Sequence, residues 1–77
     1  MNKEDKYYKI KILNQPYGHE WIRIHVTNEG VKFKLRSENG ASHFSLDMLH
    51  DPRIKDFLKD KSFQLFPSIP IHDYINF

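Results

Sequence analysis

Eight side chains in the first half of the chain combine positive charge or a ring with the spacing of a β-strand. In WIRIHVTNEGVKFKLR, which runs from Trp21 to Arg36, apolar residues alternate with basic or ring-bearing ones on both sides of an Asn-Glu-Gly turn signal. With two lysines of an earlier alternating stretch, the set is Lys9, Lys11, Trp21, Arg23, His25, Lys32, Lys34 and Arg36. Ammonium groups contact phosphate, guanidinium groups fork onto phosphate or a base, and an indole can stack on a base or anchor a protein interface. These residues therefore predict a docking face for a negatively charged partner.

The basic set is electrostatically unfavourable by itself, because an antiparallel pair places opposed residues on one face. Two registers keep the apolar residues on the other face: Val26 opposite Val31, or a register slipped by two residues. The first pairs His25 with Lys32, Arg23 with Lys34 and Trp21 with Arg36; the second pairs His25 with Lys34 and Arg23 with Arg36. Like charges meet in either register, at up to roughly 1 kcal/mol of destabilisation per pair, and an external anion would relieve this repulsion.

Two alternatives stay open for this face. The lysines could form a solvated face that discourages aggregation of the sheet, or carboxylates such as Glu20 and Glu38 could fold over and neutralise them. Trp21 points outward by its place in the alternation. The strand twist or the 14–19 loop could nevertheless cover the indole in a cation–π contact.

Catalytic and metal-binding chemistry has no motif in this sequence. Five histidines are present without HxH, HxxxH or HExxH spacing, namely His19, His25, His43, His50 and His72. Cysteine is absent, so the chain offers no thiolate ligand, thiol nucleophile or disulfide. Ser45, Asp47 and His50 are close in sequence, but that proximity is not the geometry of a catalytic triad. We expect no catalytic residue, no metal site and no cofactor, and therefore a protein that is not an enzyme.

Period-two alternation predicts the strands that carry these residues. The expected strands cover residues 8–12, 21–26 and 31–36. Asn39-Gly40 is a strong hairpin signal, because a type I′ turn needs positive φ at both central positions. Across that turn, the predicted pairs are Leu35 with Phe44 and Phe33 with Leu46 on the inner face, and Arg36 with His43 and Lys34 with Ser45 on the outer face.

The pattern changes to a helical period after His50. Asp51 can cap a helix and Pro52 suits its first turn. The apolar stripe of this helix is Ile54, Phe57 and Leu58, with Met48 and Leu49 packing where it begins and Lys59 and Lys61 at its C-terminal end. A short strand SFQLF follows, with Phe63 and Leu65 facing inward. The predicted fold class is α+β: a small antiparallel β-meander of about four strands, one helix packed on one face, and a short final strand or extended C-terminal tail.

Length and composition fit a single domain over residues 1–77. The net charge is only +2, but basic residues dominate from Tyr7 to Arg36 and acidic residues dominate from Ser37 onward. The N-terminus lacks the features of a signal peptide, and no segment is long enough to span a bilayer. We therefore expect a cytoplasmic protein that does not contact a membrane.

These observations favour a small non-enzymatic binding module whose basic and aromatic sheet face docks on nucleic acid or on a nucleic-acid-handling protein. The strands lack the aromatic signature of an RNA-recognition motif or a cold-shock domain. The alternative is a small inhibitor or adaptor of the phage or mobile-element type, which binds and blocks a host protein. The expected partner is thus nucleic acid or an acidic protein surface. The apolar C-terminal tail, from Leu65 to Phe77, predicts either a strap that closes the core or the sheet edge, or an exposed patch for homodimerisation or partner capture.

Overall fold

Five strands and two short helices follow one another within residues 6–70. The structure is a computed structural model that describes residues 6–70, so residues 71–77 of the predicted C-terminal tail lie outside the described residues. The strands are β1 (Tyr7–Ile12), β2 (Trp21–Thr27), β3 (Gly30–Arg36), β4 (Phe44–Ser45) and β5 (Phe63–Ser68), and the helices are α1 (Leu46–Leu49) and α2 (Pro52–Leu58). The strand pairs of the sheet are antiparallel, and the predicted α+β class with a helix on one face is confirmed.

The β2–β3 hairpin forms in the first of the two predicted registers, with Val26 opposite Val31. Its tight turn places Thr27 opposite Gly30, which takes a φ of +123° that disfavours residues with a side chain. The Thr27 hydroxyl accepts a hydrogen bond from the Glu29 backbone N–H at 3.1 Å, which braces the turn. The alternation of apolar and basic residues and the position of the turn predict the same register, so this hairpin follows from the local sequence.

The predicted β3–β4 hairpin is wrong. Residues Glu38–Gly40 form a single 3₁₀ turn, and β4 pairs with β1, where Phe44 lies opposite Tyr8. Gly40 does not have positive φ. A Cβ added at this position would lie 3.2 Å from the Cβ of Arg36, so glycine suits the position because the Arg36 side chain lies close to its backbone. The fully buried Phe44 explains the outcome, because burial of a large ring outweighs the local preference of an Asn-Gly turn.

The segment leading into β4 lies between β1 and β2. These two strands pair at Lys11 and Trp21. Beyond that point, the backbone N–H of Ser42 donates to the Ile22 carbonyl at 3.0 Å, and the Ile24 N–H donates to the Ser42 hydroxyl at 2.9 Å. Strand β5 pairs along the whole length of one edge of β1. The opposite edge of β1 must therefore be shared by β2 and β4. The outermost strands of the sheet are therefore β3 and β5.

The core lies between the sheet and the helices. Its buried residues are Ile10, Ile12, Ile22, Ile24, Phe44, Met48, Ile54 and Leu58. The predicted helical stripe is confirmed, with Phe57 partly buried and its ring centroid 5.0 Å from that of Phe33. Met48 lies in α1, which is a separate turn of helix capped by the Ser45 hydroxyl. The core side of the sheet thus follows the predicted alternation, with the exception that Val26, near the end of β2, is 62% exposed.

Helix α2 begins and ends as the sequence predicts. The Asp51 carboxylate accepts a hydrogen bond from the Arg53 backbone N–H at 2.8 Å, and Pro52 occupies the first turn. The Arg53 side chain donates two further hydrogen bonds to Asp51, which hold the pKa of this carboxyl at about 2, below its ordinary value of 3.8. Lys61 donates to the Phe57 carbonyl at 2.9 Å, where the helix dipole favours a cation. Within residues 6–70, no helix is long and apolar enough to cross a membrane.

Candidate nucleic-acid interface

The eight predicted site residues lie on strands β1, β2 and β3 and share one parity, opposite to that of the buried core residues. Ile10, Ile12, Ile22 and Ile24 face the helices, so their neighbours in sequence face the other side of the sheet. We call that side the outer face. It carries Lys9, Lys11, Trp21, Arg23, His25, Lys32, Lys34 and Arg36. The strand pairing brings these residues together, although their exposure differs.

The open part of the outer face is formed by β2 and β3. Its members are Arg23, His25, Lys32, Lys34 and Arg36, all exposed, and we call them the cationic strip. His25 lies opposite Lys32, and Arg23 lies opposite Lys34. The like-charge juxtaposition predicted from the sequence is therefore present in the structure.

Internal counterions for the cationic strip are few. Lys32 lies 3.8 Å from the Glu29 carboxylate, in a pair that is exposed on both sides. The Arg23 guanidinium donates to the Gly40 carbonyl at 3.3 Å, a contact that carries no opposing net charge. Among residues 6–70, no carboxylate lies within 4.0 Å of Lys34 or Arg36. The strip thus keeps most of its positive charge uncompensated.

Trp21 belongs to the covered part of the outer face. Although its parity is outward, its exposure is only 8%. Its ring centroid lies 5.3 Å from that of Phe66, and the ammonium groups of Lys9 and Lys11 lie 5.7 and 5.9 Å from the indole centroid. The covered alternative for Trp21 is the one observed, so the indole has little free surface on which a base could stack.

Lys9 and Lys11 share this covered part and are less available than the sequence indicated. Lys9 donates to the Glu38 carboxylate at 3.2 Å, and both ammonium groups contact the Trp21 ring. The neutralisation expected from Glu38 thus occurs, but only at this end of the face. Glu20 instead accepts from the backbone N–H of Gly18 at 3.0 Å. On β1, Lys9 is paired with a carboxylate, whereas on β2 and β3 Lys32 is the one cation with a carboxylate partner among residues 6–70.

Phe66 is the residue of this face that sequence reasoning missed. It lies opposite Lys9 on β5 and covers Trp21. Its parity relative to Phe63 and Leu65 indicated an outward side chain, but nothing local indicated that β5 pairs with β1. The sequence predicted His43 opposite Arg36, but the Nδ1 atom of His43 lies 2.8 Å from the hydroxyl oxygen of Ser68 on β5.

The described residues offer no clustered set of metal ligands, since no group of three or more histidine or acidic side chains comes together within residues 6–70. His25 lies on β2, His50 follows α1, and His19 and His43 lie in connecting segments, while His72 is outside the described residues. The chemistry available on the outer face is therefore recognition of negative charge by guanidinium and ammonium groups.

Comparisons with known proteins do not assign a function to this chain, so the geometry of the outer face is the basis for a functional proposal. No family model, no curated protein and no solved structure matches the chain. The functional argument therefore depends on the residues and on their arrangement.

Proposed function

We propose that this protein is a non-enzymatic binding module whose cationic strip docks on the phosphate backbone of a nucleic acid. The observation that carries the proposal is the row of exposed cations on β2 and β3, in which Arg23 opposes Lys34 while Lys34 and Arg36 have no carboxylate partner within residues 6–70. A polyanion would remove the repulsion that the strip imposes on the folded chain. A cytoplasmic location, where nucleic acid is available, is part of this proposal.

The expected recognition is directed at phosphate and is tolerant of sequence. Phosphate contacts position a protein on nucleic acid without reading bases, whereas base readout needs side chains that reach base edges or stack on them. Trp21 is covered by Phe66 and the two lysines, so its indole is not an exposed platform for base stacking. Affinity should therefore depend on charge and ionic strength more than on base composition.

An acidic protein surface is the second candidate partner, and the covered Trp21 is the observation that favours it. Without a stacking platform, the strip recognises negative charge as such, and a cluster of carboxylates also supplies that charge. In this case the protein would act as an inhibitor or adaptor that binds a host protein, which is the alternative function inferred from the sequence. Retention of a partner after nuclease treatment would favour this candidate over nucleic acid.

A charge-reversal comparison tests the proposal. Binding of fluorescently labelled single-stranded DNA, duplex DNA and RNA is measured by anisotropy for the wild type and for Lys32→Glu/Lys34→Glu. The matched control is Lys55→Glu/Lys59→Glu, which changes the net charge equally but on α2 and its C-cap, on the other side of the sheet. We expect the strip variant to lose about tenfold or more in affinity and the control to stay within about threefold.

Two results would contradict the proposal. One is the absence of measurable binding to any of the three nucleic acids at low ionic strength. The other is an equal loss in both double variants, since binding would then follow net charge and not the strip. Thermal unfolding of each variant shows whether a loss of affinity merely reflects a loss of folded protein.

A further inference from the structure

The two edges of the sheet are protected differently. An edge strand presents unpaired backbone groups, and proteins commonly guard it with charged side chains. The edge strand β3 carries Lys32, Lys34 and Arg36, whereas β5, with the sequence FQLFPS, carries no charge. Pro67 is the only common edge-protecting residue in β5, and it lies near the end of the strand. Among residues 6–70, no strand pairs with the edge of β5 that faces away from β1.

Apolar side chains are exposed on both faces of β5. Phe63 and Leu65 lie on the helix side with exposures of 38% and 42%, and Phe66 lies on the outer face with 38%. On the helix side, Phe63 and Leu65 join Leu49 and Leu58 in lining an open groove of about 470 Å³, which is also lined by Lys55, Lys59 and Lys61. Within residues 6–70, this groove and strand edge form a continuous and largely apolar surface that the fold leaves open.

The direction of the free backbone groups of β5 follows from its pairing with β1. The Leu13 N–H donates to the Ser62 carbonyl at 2.9 Å, and the same register continues to Tyr7 opposite Ser68. In an antiparallel pair, hydrogen-bonding residues alternate. Residues 62, 64, 66 and 68 therefore direct their N–H and C=O groups at β1, and residues 63, 65 and 67 direct theirs away from it. The missing N–H of Pro67 is on the free edge, which is where a proline is tolerated.

We propose that the β5 edge pairs with the β5 edge of a second copy of this chain, antiparallel and about a two-fold axis at Leu65. In this register Leu65 lies opposite the partner's Leu65, and each donates its N–H to the other's carbonyl. Phe63 lies opposite the partner's Pro67 and donates to its carbonyl. Pro67 serves only as an acceptor in this register, so its missing donor does not prevent pairing.

The side chains suit the same register. On the helix side, Phe63 and Leu65 meet the partner's Pro67 and Leu65, which extends the apolar groove across both copies. On the outer face, Phe66 meets the partner's Gln64. The corresponding pairing of β3 about Phe33 would instead place Lys32 opposite the partner's Lys34, and like charges directly opposite are unfavourable. The choice of β5 over β3 therefore follows from charge and from apolar exposure together.

Oligomeric state is the first test of this pairing. Sedimentation equilibrium on the full chain, from about 1 μM to about 1 mM, is expected to show a monomer–dimer equilibrium for the wild type. Leu65→Lys, which places like charges on the two-fold axis, is expected to be monomeric over the whole range. The matched control Val26→Lys changes an apolar residue that is 62% exposed on β2, and it is expected to dimerise as the wild type does.

Amide hydrogen exchange on the wild type tests the register without a substitution. The N–H groups of Phe63 and Leu65 are expected to exchange at least about tenfold more slowly at high protein concentration than at low concentration. Those of Gln64 and Phe66, which are bonded to β1, are expected to be protected at both. A chain that is monomeric at about 1 mM, a Leu65→Lys variant that still dimerises, or concentration-independent exchange of Phe63 and Leu65 would overturn the proposal. None of these readouts depends on nucleic-acid binding.

Discussion

Lys34 shows how the outer face is built at the scale of single residues. It lies directly opposite Arg23 on a solvated strand pair, and within residues 6–70 no carboxylate pairs with it. The Arg23 guanidinium turns to the Gly40 carbonyl, which satisfies a donor but leaves the charge uncompensated. A side chain in such a position repels its neighbours in the folded state. Lys34 is therefore expected to favour the binding of an anionic partner and to lower the stability of the fold.

Lys34→Glu is expected to stabilise the fold while it weakens binding. The substitution replaces a like-charge pair with an opposite-charge pair across β2 and β3, which should raise the free energy of unfolding by about 0.2–1 kcal/mol. Urea unfolding at low salt measures this gain. Lys34→Gln, which removes the charge without reversing it, should gain less.

The same measurement in about 1 M salt provides the control, because screening should reduce the difference between the variants. A Lys34→Glu variant that is less stable than the wild type at low salt would show that the cations of the strip do not repel one another in solution.

At the scale of elements, Ser42 connects β2 to the segment that carries Phe44 into the core. Its exposure is 2%, its N–H donates to Ile22, and its hydroxyl accepts from the N–H of Ile24. The hydroxyl takes the place of a backbone carbonyl where β1 and β2 separate. One side chain thus completes the hydrogen bonding of β2 on the edge that faces away from β3, where no strand among residues 6–70 pairs with Ile24.

Ser42→Ala is expected to destabilise the protein by about 1–3 kcal/mol, because the buried Ile24 N–H would lose its acceptor. Thermal or urea unfolding measures the loss. Ser37→Ala is the matched control, since Ser37 is exposed and its side chain makes no capping hydrogen bond at the 3₁₀ turn. Equal stabilities of the two variants would mean that the hydroxyl of Ser42 is not needed where the sheet separates.

At the scale of the whole molecule, charge is distributed unevenly between the two sides of the sheet. On the helix side, Asp51 pairs with Arg53, Asp56 with Lys59, and Asp60 with Lys61. The hydrogen bond from Lys61 lowers the pKa of Asp60. The cationic strip has one exposed ion pair within residues 6–70, that between Lys32 and Glu29. Although the net charge is only +2, uncompensated positive charge is therefore concentrated on the outer face of the sheet.

This uneven distribution of charge predicts a defined salt dependence. If Arg23, Lys32, Lys34 and Arg36 each neutralise one phosphate of a duplex, the slope of log affinity against log salt concentration should be about −3.6. In Lys32→Glu/Lys34→Glu the slope should fall to about half of that value. Anisotropy titrations at four or more KCl concentrations measure both slopes. A slope near zero for the wild type would contradict docking through phosphate.

Local patterns were sufficient to predict several elements. The β2–β3 hairpin and the apolar stripe of α2 follow from residue period and from turn or capping residues only a few positions apart, such as Asp51 and Pro52. The outward parity of the basic residues follows in the same way, because side chains alternate strictly along a strand. Membership of the outer face was therefore predictable from the sequence.

The partner of each later strand and the exposure of Trp21 were decided only by tertiary structure. Asn39-Gly40 favoured a local hairpin, but burial of Phe44 beside β1 involves residues more than thirty positions apart. Trp21 is covered because β5 brings Phe66 to the far edge of β1, a contact that no local pattern specifies. The physical reason is that alternation determines which way a side chain points, whereas only the packing of distant segments determines what lies above it.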